Sequence, residues 1–504
     1  MAEAKQPAPR PCKRCKATPA PYILRNDPTC RDCYVDYVEA KAGRRLGAVA
    51  RETRTSAAPA PRRYLAGLSF GASSAVMARV LDGSAKFHSS AKKGSAAAAF
   101  EALVVHVDTD LGFDPASSSP SPSPSPRHEE ASSSSSPTSP SPTSTSPPPQ
   151  NCSPAAARLL DRYRARFPNV SFACVHLSRA LRLRTVDWAA LLPPSQQQRG
   201  GERGRDVSPD HDDNGSSSTG ISDSERLRRF FDALPSATAR ADATRLLVRH
   251  ILLDMALAGS YSALLLGHST TALAALTLAE VANGRGFSVP WQVNDGPYPV
   301  RTYDEPGSGG SSGSSSSSKA EERDTATAEM ATATTTAETT TVTQQHVPIF
   351  YPMREVFGAE IAQYLELSPE LGELVTAAAA AALAPSTTTT TTSAATNGGG
   401  SIVSHKDLSI ADVMSRYFAG VEGPYEGIVA NVVRTTGKLE RAGAAGAGPC
   451  GLCGMTLDER GDERWAGELG DDDSDGNDDS DGDRRGGGDR KARLCYGCKR
   501  SVHG

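Results

Sequence analysis

Eight of the ten cysteines fall into four Cys-x-x-Cys pairs. Cys12 and Cys15 are followed after a short interval by Cys30 and Cys33, the spacing of a compact zinc ribbon. Cys450 and Cys453 are followed, after a long acidic insertion, by Cys495 and Cys498. Two such knuckles bring four thiolates around one Zn²⁺ at Zn–S distances of about 2.3 Å. Both sets are therefore expected to be structural zinc sites, closed to chemistry. They would hold shape and present basic residues such as Lys13, Arg14, Lys16 and Arg31 to a partner. A redox dithiol would need a thioredoxin-like βαβ setting, which the flanking sequence lacks. Cys152 and Cys174 stand apart from these pairs, with Cys174 expected inside a strand. Residues 1–12 do not read as a secretory signal, so the cysteines point to metal or chemistry rather than to disulfides.

The segment Leu68-Ser69-Phe70-Gly71-Ala72-Ser73-Ser74 follows a strand and opens a helix. Free backbone N–H groups and the helix dipole could hold an anion there. Ser69, Gly71, Ser73 and Ser74 are the candidate phosphate contacts; a tight packing turn is the plainer alternative. Asp108 and Asp110, at the end of the next strand, are candidate metal ligands, with a strand-end carboxylate facing water as the alternative.

Elements that would position these residues alternate between strand and helix. Strands are expected at Arg63–Leu68, Ala102–Val107, Val170–Val175 and Tyr261–Leu266. Helices are expected at Ser74–Leu81, Ala155–Phe167 with Pro154 in its first turn, Ser222–Leu234, Ser236–Leu257 and Thr270–Ala282. That order implies a mainly parallel α/β sheet covered on both faces. The loops Ser69–Ser74, Val107–Asp110 and Gly267–Thr271 would share the carboxyl edge, where such sheets bind ligands. The apolar stretch Leu246–Leu266 is interrupted by Arg249, His250 and Asp254. It reads as a buried helix and strand, not a membrane span.

Composition narrows the folded part. The chain has 504 residues, 38% hydrophobic and 6% aromatic, with a net charge of −4. Long Ser, Thr, Pro, Gly and Ala tracts bury too little apolar surface to offset their ordering entropy. They suggest an N-terminal basic zinc module at 1–60 and an α/β core at 61–440. Disordered insertions would interrupt that core near 116–150, 194–221, 305–345 and 376–400. A C-terminal zinc module at 441–504 would carry the acidic insertion 458–490. The N-terminal region, rich in Lys and Arg, is compatible with RNA contact or with a solvated surface.

The Ser69–Ser74 loop resembles the pyrophosphate loop of the N-type ATP pyrophosphatases, Ser-Gly-Gly-x-Asp-Ser. Ser69, Gly71 and Ser74 match, whereas Phe70 replaces a glycine and Ser73 replaces the aspartate. Gly267-His268-Ser269-Thr270-Thr271 is similar to the Gly-His-x-x-Asp-Asp segment of that superfamily, again without its acids. Pro352-Met353-Arg354-Glu355, with Glu360 and Tyr364, resembles its later Pro-Leu-Arg segment. Magnesium-bound ATP needs hard oxygen ligands, and a phenylalanine lacks the freedom of glycine to take positive φ. No cysteine stands between Cys174 and Cys450, where sulfur-transferring relatives carry nucleophiles.

With the flanking cysteine pairs and the tail from Ser409-Ile410-Ala411-Asp412 through Arg434-Thr435-Thr436-Gly437-Lys438-Leu439, the chain is identified as a member of the cytoplasmic tRNA 2-thiolation protein 2 family. The resemblance implies an adenine nucleotide alpha hydrolase-like core of the N-type ATP pyrophosphatase type, with no catalytic residue of its own. It implies a cytoplasmic heterodimer with a catalytic paralogue through which ATP would act. Sulfur would come from a thiocarboxylated ubiquitin-related modifier, with a further role in attaching that modifier to proteins. The product would be 5-methoxycarbonylmethyl-2-thiouridine at the wobble position of Lys, Glu and Gln tRNAs. The alternatives are an ATP-dependent tRNA-modifying enzyme acting in its own right, or a zinc-containing RNA-binding scaffold.

Overall fold

Serine caps set out much of the helical framework. Ser153, Ser222, Ser236, Ser269 and Ser409 each accept a hydrogen bond from the backbone N–H three residues on. Caps of this kind are worth about 1 kcal/mol apiece. The computed structural model describes residues 10–54, 62–90, 100–115, 151–192, 221–303, 342–383, 408–441, 449–457 and 494–504. The insertions expected near 116–150, 194–221, 305–345, 376–400 and 458–490 lie wholly or largely outside those residues.

The first described segment is a hairpin of β1 (Tyr22–Leu24) and β2 (Asp27–Thr29), joined by Arg25 and Asn26, both at positive φ. The pair of left-handed residues gives a turn whose twist matches its strands. Helix α1 (Arg31–Glu52) follows and buries Tyr34, Tyr37, Val38, Ala42, Leu46 and Val49 on one face. Next come β3 (Arg62–Leu68), α2 (Ala72–Ser90), β4 (Phe100–Asp108), α3 (Pro154–Arg166), β5 (Ser171–His176) and the short α4 (Trp188–Leu191). Then follow α5 (Asp223–Ala233), α6 (Ala237–Ala258), β6 (Ala263–Leu265), α7 (Thr270–Ala282), α8 (Val289–Val293), β7 (Gly296–Tyr303) and β8 (Val342–Phe350). The last elements are α9 (Gly358–Leu367), α10 (Pro369–Leu383), α11 (Ile410–Thr436) and α12 (Tyr496–His503). Helix α10 runs on into the alanine tract, where helix propensity is highest. Helix α11 is kinked at Pro424–Tyr425.

Six strands form one sheet in the order β5-β4-β3-β6-β8-β7. All neighbours are parallel except the β7–β8 pair at one edge. The expected mainly parallel α/β sheet is what the chain forms. Strands β3 and β6 are buried on both faces, as parallel strands under helices must be. One face packs on α1, α2, α3, α9 and α10. The other packs on α5, α6, α7, α8 and α11 and on the C-terminal cysteines.

Two elements differ from the expectation. Helix α2 begins at Ala72 and extends well past Leu81. Strand β6 is shorter than Tyr261–Leu266 because the Tyr261 N–H turns back to the Ala256 carbonyl at the end of α6, with Ser260 at positive φ. Leu246–Leu266 therefore resolves into α6 and β6, and no described helix is long and apolar enough to cross a membrane.

Candidate metal centres and a self-filled phosphate loop

The two cysteine sets share one backbone recipe. In the first, Cys12 and Cys15 lie in a turn where the Lys16 N–H reaches the Cys12 carbonyl and the Cys12 N–H reaches the Thr18 carbonyl. In the second, the Gly454 N–H reaches the Cys450 carbonyl and the Cys450 N–H reaches the Met455 carbonyl. The residue after the second cysteine is left-handed in both, with φ 60° at Lys16 and 70° at Gly454. The other pair in each set opens a helix: Cys30 caps α1 and Cys495 caps α12. Cys33 and Cys498 lie in the first turns, where the helix dipole favours a thiolate.

The four sulfurs of each set lie within 4.8 Å of one another. Cys15 and Cys30 are 3.8 Å apart, and Cys453 and Cys495 3.9 Å. A tetrahedral ion bonded at about 2.3 Å spaces its sulfurs at roughly 3.8 Å, so each set fits a single metal ion. Cys15 is exposed and Cys33 half-buried, whereas all four C-terminal cysteines are buried. Hydrogen bonds from the Thr18 hydroxyl, then from neighbouring amides, hold the Cys15 thiol down to about 6. Burial, with the adjacent sulfurs, pushes Cys33 up to about 12. Four thiols this close cannot all ionise without a cation among them.

The N-terminal set is docked on the sheet through its basic residues. Arg25 Nε lies 2.6 Å from Glu360 Oε1, and its guanidinium stacks 4.8 Å from the Phe357 ring centroid. Arg31 donates to the Leu367 carbonyl, Lys13 pairs with Asp27, and Arg14 lies over the Tyr37 ring. Arg45 pairs with Asp295, which also holds Arg354. Of the basic residues expected to face a partner, Lys13, Arg14 and Arg31 thus have contacts within the fold, while Lys16 is exposed.

The Ser69–Ser74 loop lies at the carboxyl end of β3, between β4 and β6, where the strand order reverses. It is brought against Gly267, whose Cβ, were there one, would stand 2.9 Å from Ser74 Cα. Phe70 takes the left-handed conformation that glycine would favour, with φ 57°. That outcome differs from the expectation for a bulky residue. Its ring packs 4.1 Å from His106 and 5.3 Å from Tyr163, centroid to centroid, and these contacts offset the backbone strain. The serine hydroxyls turn inward. Ser69 Oγ accepts from the Gly71 N–H, Ser74 Oγ accepts from the Ser69 N–H, and the two hydroxyls contact each other at 3.2 Å. Ser73 lies in the first turn of α2, half-buried.

The neighbouring candidate groups are similarly occupied. Asp108 accepts from the Asp110 N–H through one oxygen and from the Ser153 N–H, at 2.6 Å, through the other. Thr270 donates to the Arg354 carbonyl. Thr271 donates to Glu422 and accepts from the Gly358 N–H, while Glu422 accepts from the Ala359 N–H at the start of α9. Burial holds His268 down to about 3. Cys152 and Cys174, expected to stand apart, act on each other: the interaction holds the Cys152 thiol down and pushes the Cys174 thiol up.

A family profile described as cytoplasmic tRNA 2-thiolation protein 2 matches residues 409–500, the stretch holding α11 and the C-terminal cysteines. Proteins of that name match almost end to end. The one from Phaeosphaeria nodorum is 28% identical over 97% of this chain and 94% of its own length. The one from Pyrenophora tritici-repentis is 28% identical over 98% and 94%. The chain thus resembles this family along almost its whole length. Among solved structures, the U34-tRNA thiolase NcsA from Methanococcus maripaludis, with its 4Fe–4S cluster, is similar at a TM-score of 0.40 and 12% identity, covering 91% of this chain and 96% of that one. Beyond the family's cysteines, sequence reasoning missed the arginines packed around the second set. Arg249, a charge inside an apolar run, was the one available signal.

Proposed function

We propose that the chain is a non-catalytic subunit of the cytoplasmic assembly that installs sulfur at C2 of the wobble uridine in tRNA. It would act as a heterodimer with a catalytic paralogue that adenylates the uridine oxygen and takes sulfur from a thiocarboxylated ubiquitin-related modifier. The substrates are Lys, Glu and Gln tRNAs, and the product is 5-methoxycarbonylmethyl-2-thiouridine. Attachment of the same modifier to proteins is a second output of the assembly. Similarity to proteins of the 2-thiolation family supports the pathway. The observation that carries the non-catalytic role is the loop Ser69–Ser74. Its hydroxyls satisfy its own backbone, Phe70 fills the space beside it, and positions 73, 270 and 271 carry hydroxyl side chains in place of the carboxylates of the pyrophosphatase motifs.

In this reading Zn²⁺ at Cys12, Cys15, Cys30 and Cys33 and at Cys450, Cys453, Cys495 and Cys498 supplies cross-links, not chemistry. The chain's own residues position RNA and the partner. Exposed cations of the N-terminal module, Arg10, Lys16 and Arg44 among them, would contact phosphate.

The test has two arms. Deleting the gene should remove 2-thiouridine from total tRNA, and unchanged thiolation would refute membership of the pathway. The purified chain alone, titrated with Mg²⁺–ATP, should neither bind it tightly nor release pyrophosphate. Turnover there would establish an autonomous enzyme instead.

A further inference from the structure

Beneath the C-terminal cysteines the protein buries an uneven set of charges. Asp242 and Glu280 are 4% and 0% exposed. Arg245 and Arg285 both bond to the two of them, with Arg285 Nε 3.1 Å from Glu280 Oε2 and Arg245 Nη2 3.1 Å from Asp242 Oδ1. The Ser501 hydroxyl of α12 and the Ser288 hydroxyl complete the carboxylates' coordination. Two guanidiniums and two carboxylates balance. Two further guanidiniums lie close by. Arg301 donates to the Gly454 carbonyl and the Thr456 hydroxyl, both at 2.8 Å, on the first knuckle. Arg249, 6% exposed, lies over the Tyr298 ring. His250, which donates to or accepts from no carboxylate and bonds the Leu452 carbonyl, adds no negative charge. The protein groups named here therefore leave two positive charges in excess, one buried at Arg249 and one half-buried at Arg301, and an uncompensated buried charge is strongly unfavourable.

A divalent ion held by four thiolates carries a net charge of minus two, the missing complement. Arg285 lies beside this cluster. This side chain is fully buried, yet its Nη1 has no hydrogen-bond partner. It lies against the second knuckle: a Cβ at Gly497 would stand 2.6 Å from Arg285 Cγ and 3.3 Å from Nη1.

We propose that Arg249 and Arg301 supply the counter-charge of a metal tetrathiolate at the C-terminal cluster, with Arg285 Nη1 donating to the Cys498 sulfur. The proposal rests on the reading that a metal ion occupies that cluster. It makes this cluster an ionic part of the α/β core, with the arginines tuning how tightly the ion is held.

The experiment uses the full chain and compares wild type with Arg285→Met, Arg285→Lys and Arg301→Gln. Zinc per chain is counted, its release to a chelator is followed in time, and the thiolate-to-metal charge-transfer band is recorded after Co²⁺ exchange. Wild type should hold two ions, one released fast from the exposed N-terminal cluster and one slowly. Each variant should speed the slow phase by about tenfold or more, the usual scale for groups supporting metal ligands, and leave the fast phase alone. Both Arg285 variants should move the charge-transfer band to longer wavelength, because a sulfur stripped of its N–H donor holds its electrons less tightly. A merely structural arginine would not move that band. Arg301→Gln keeps a donor for Gly454 while removing the charge, and it lies outside the carboxylate network, so it decides the matter if the Arg285 variants fail to fold. A slow phase within about twofold of wild type and an unmoved band overturn the arginine assignment. A wild-type chain lacking the slowly released ion overturns the metal reading itself, and the two failures are distinct.

Discussion

The N-terminal cysteine cluster and the C-terminal one are built from the same turn and the same helix start, yet they stand in opposite surroundings. The first rests on the outside of the sheet's α1–α2 face, with Cys15 in solvent and its basic residues holding it to Glu360 and Leu367. The second is sunk into the apolar core of the other face, in the same buried cluster as Leu246, Leu252 and Tyr298. A shared local geometry therefore says nothing about how much of the molecule depends on it. The surroundings decide that: water screens the charge of the outer cluster, whereas protein cations must neutralise the inner one.

The sharpest way to break this contrast is to remove one ligand from each. Cys498→Ser should cost about 4 kcal/mol or more and yield little soluble protein, because loss of the ion exposes core surface and strands buried charge. Cys15→Ser should lower the zinc content by one and leave the main melting transition within about 2 °C of wild type, a shift corresponding to about 1 kcal/mol. Equal losses in zinc counts and melting curves would erase the distinction.

The next effect concerns the charge network under the inner cluster. Burial alone would raise the Glu280 carboxyl, but Arg245 and Arg285 overcome it and hold it near 2, against an ordinary value of 4.5. A depressed carboxyl contributes its full stability above its unfolded value and loses it as pH falls through the folded one. Glu280→Gln should therefore cost about 3 kcal/mol at pH 7 and flatten the acid limb of stability between about pH 4.5 and 2. An unchanged acid limb in denaturant titrations counts against the network.

Smaller effects sharpen the outer side. Arg25→Ala removes a half-exposed ion pair and a stacking contact, so it should weaken docking of residues 10–54 by about 1 kcal/mol. Hydrogen exchange should rise in α1 and the β1–β2 hairpin and stay unchanged in β3 and β6. Last, the matched left-handed positions invite a swap. Lys16→Gly should steady the outer knuckle by about 0.5 kcal/mol, and Gly454→Lys should weaken the inner one by about 1 kcal/mol, read by zinc-release rates.

Much of this architecture was legible where local chemistry sets it. Helical spacing placed α5, the Ser236 cap α6 and the Asn283-Gly284 stop α7 close to their observed limits, and the short apolar stretches placed β3 and β4. The gathering of the eight cysteines into two sets of four was also visible, since paired Cys-x-x-Cys knuckles follow a rule of spacing. Helix α1 was not anticipated, although Tyr34, Tyr37, Val38, Ala42, Leu46 and Val49 recur at helical intervals; charged residues between them masked the stripe. The β7–β8 pair was missed because its partners lie on either side of a long low-complexity tract. Phe70 defeated the expectation drawn from sterics, since packing on His106 and Tyr163 outweighs an unfavourable φ. The arginines around the inner cluster lie on α6, after α7 and on β7, and only folding brings them together.

Helix α12 has a consequence for biosynthesis. Its residues supply the Ser501 contact to Asp242 and the Gly497 seat for Arg285, in the middle of a core whose other parts are made far earlier. While a nascent chain is still on the ribosome, the α1–α2 face can close, but the opposite face must wait with its carboxylates and guanidiniums uncovered. Until residues 494–504 have emerged, that half-finished surface is the form that chaperones and quality control would meet. A premature stop shortly before Cys495 should therefore be read by the cell as a core defect, not as the trimming of a tail.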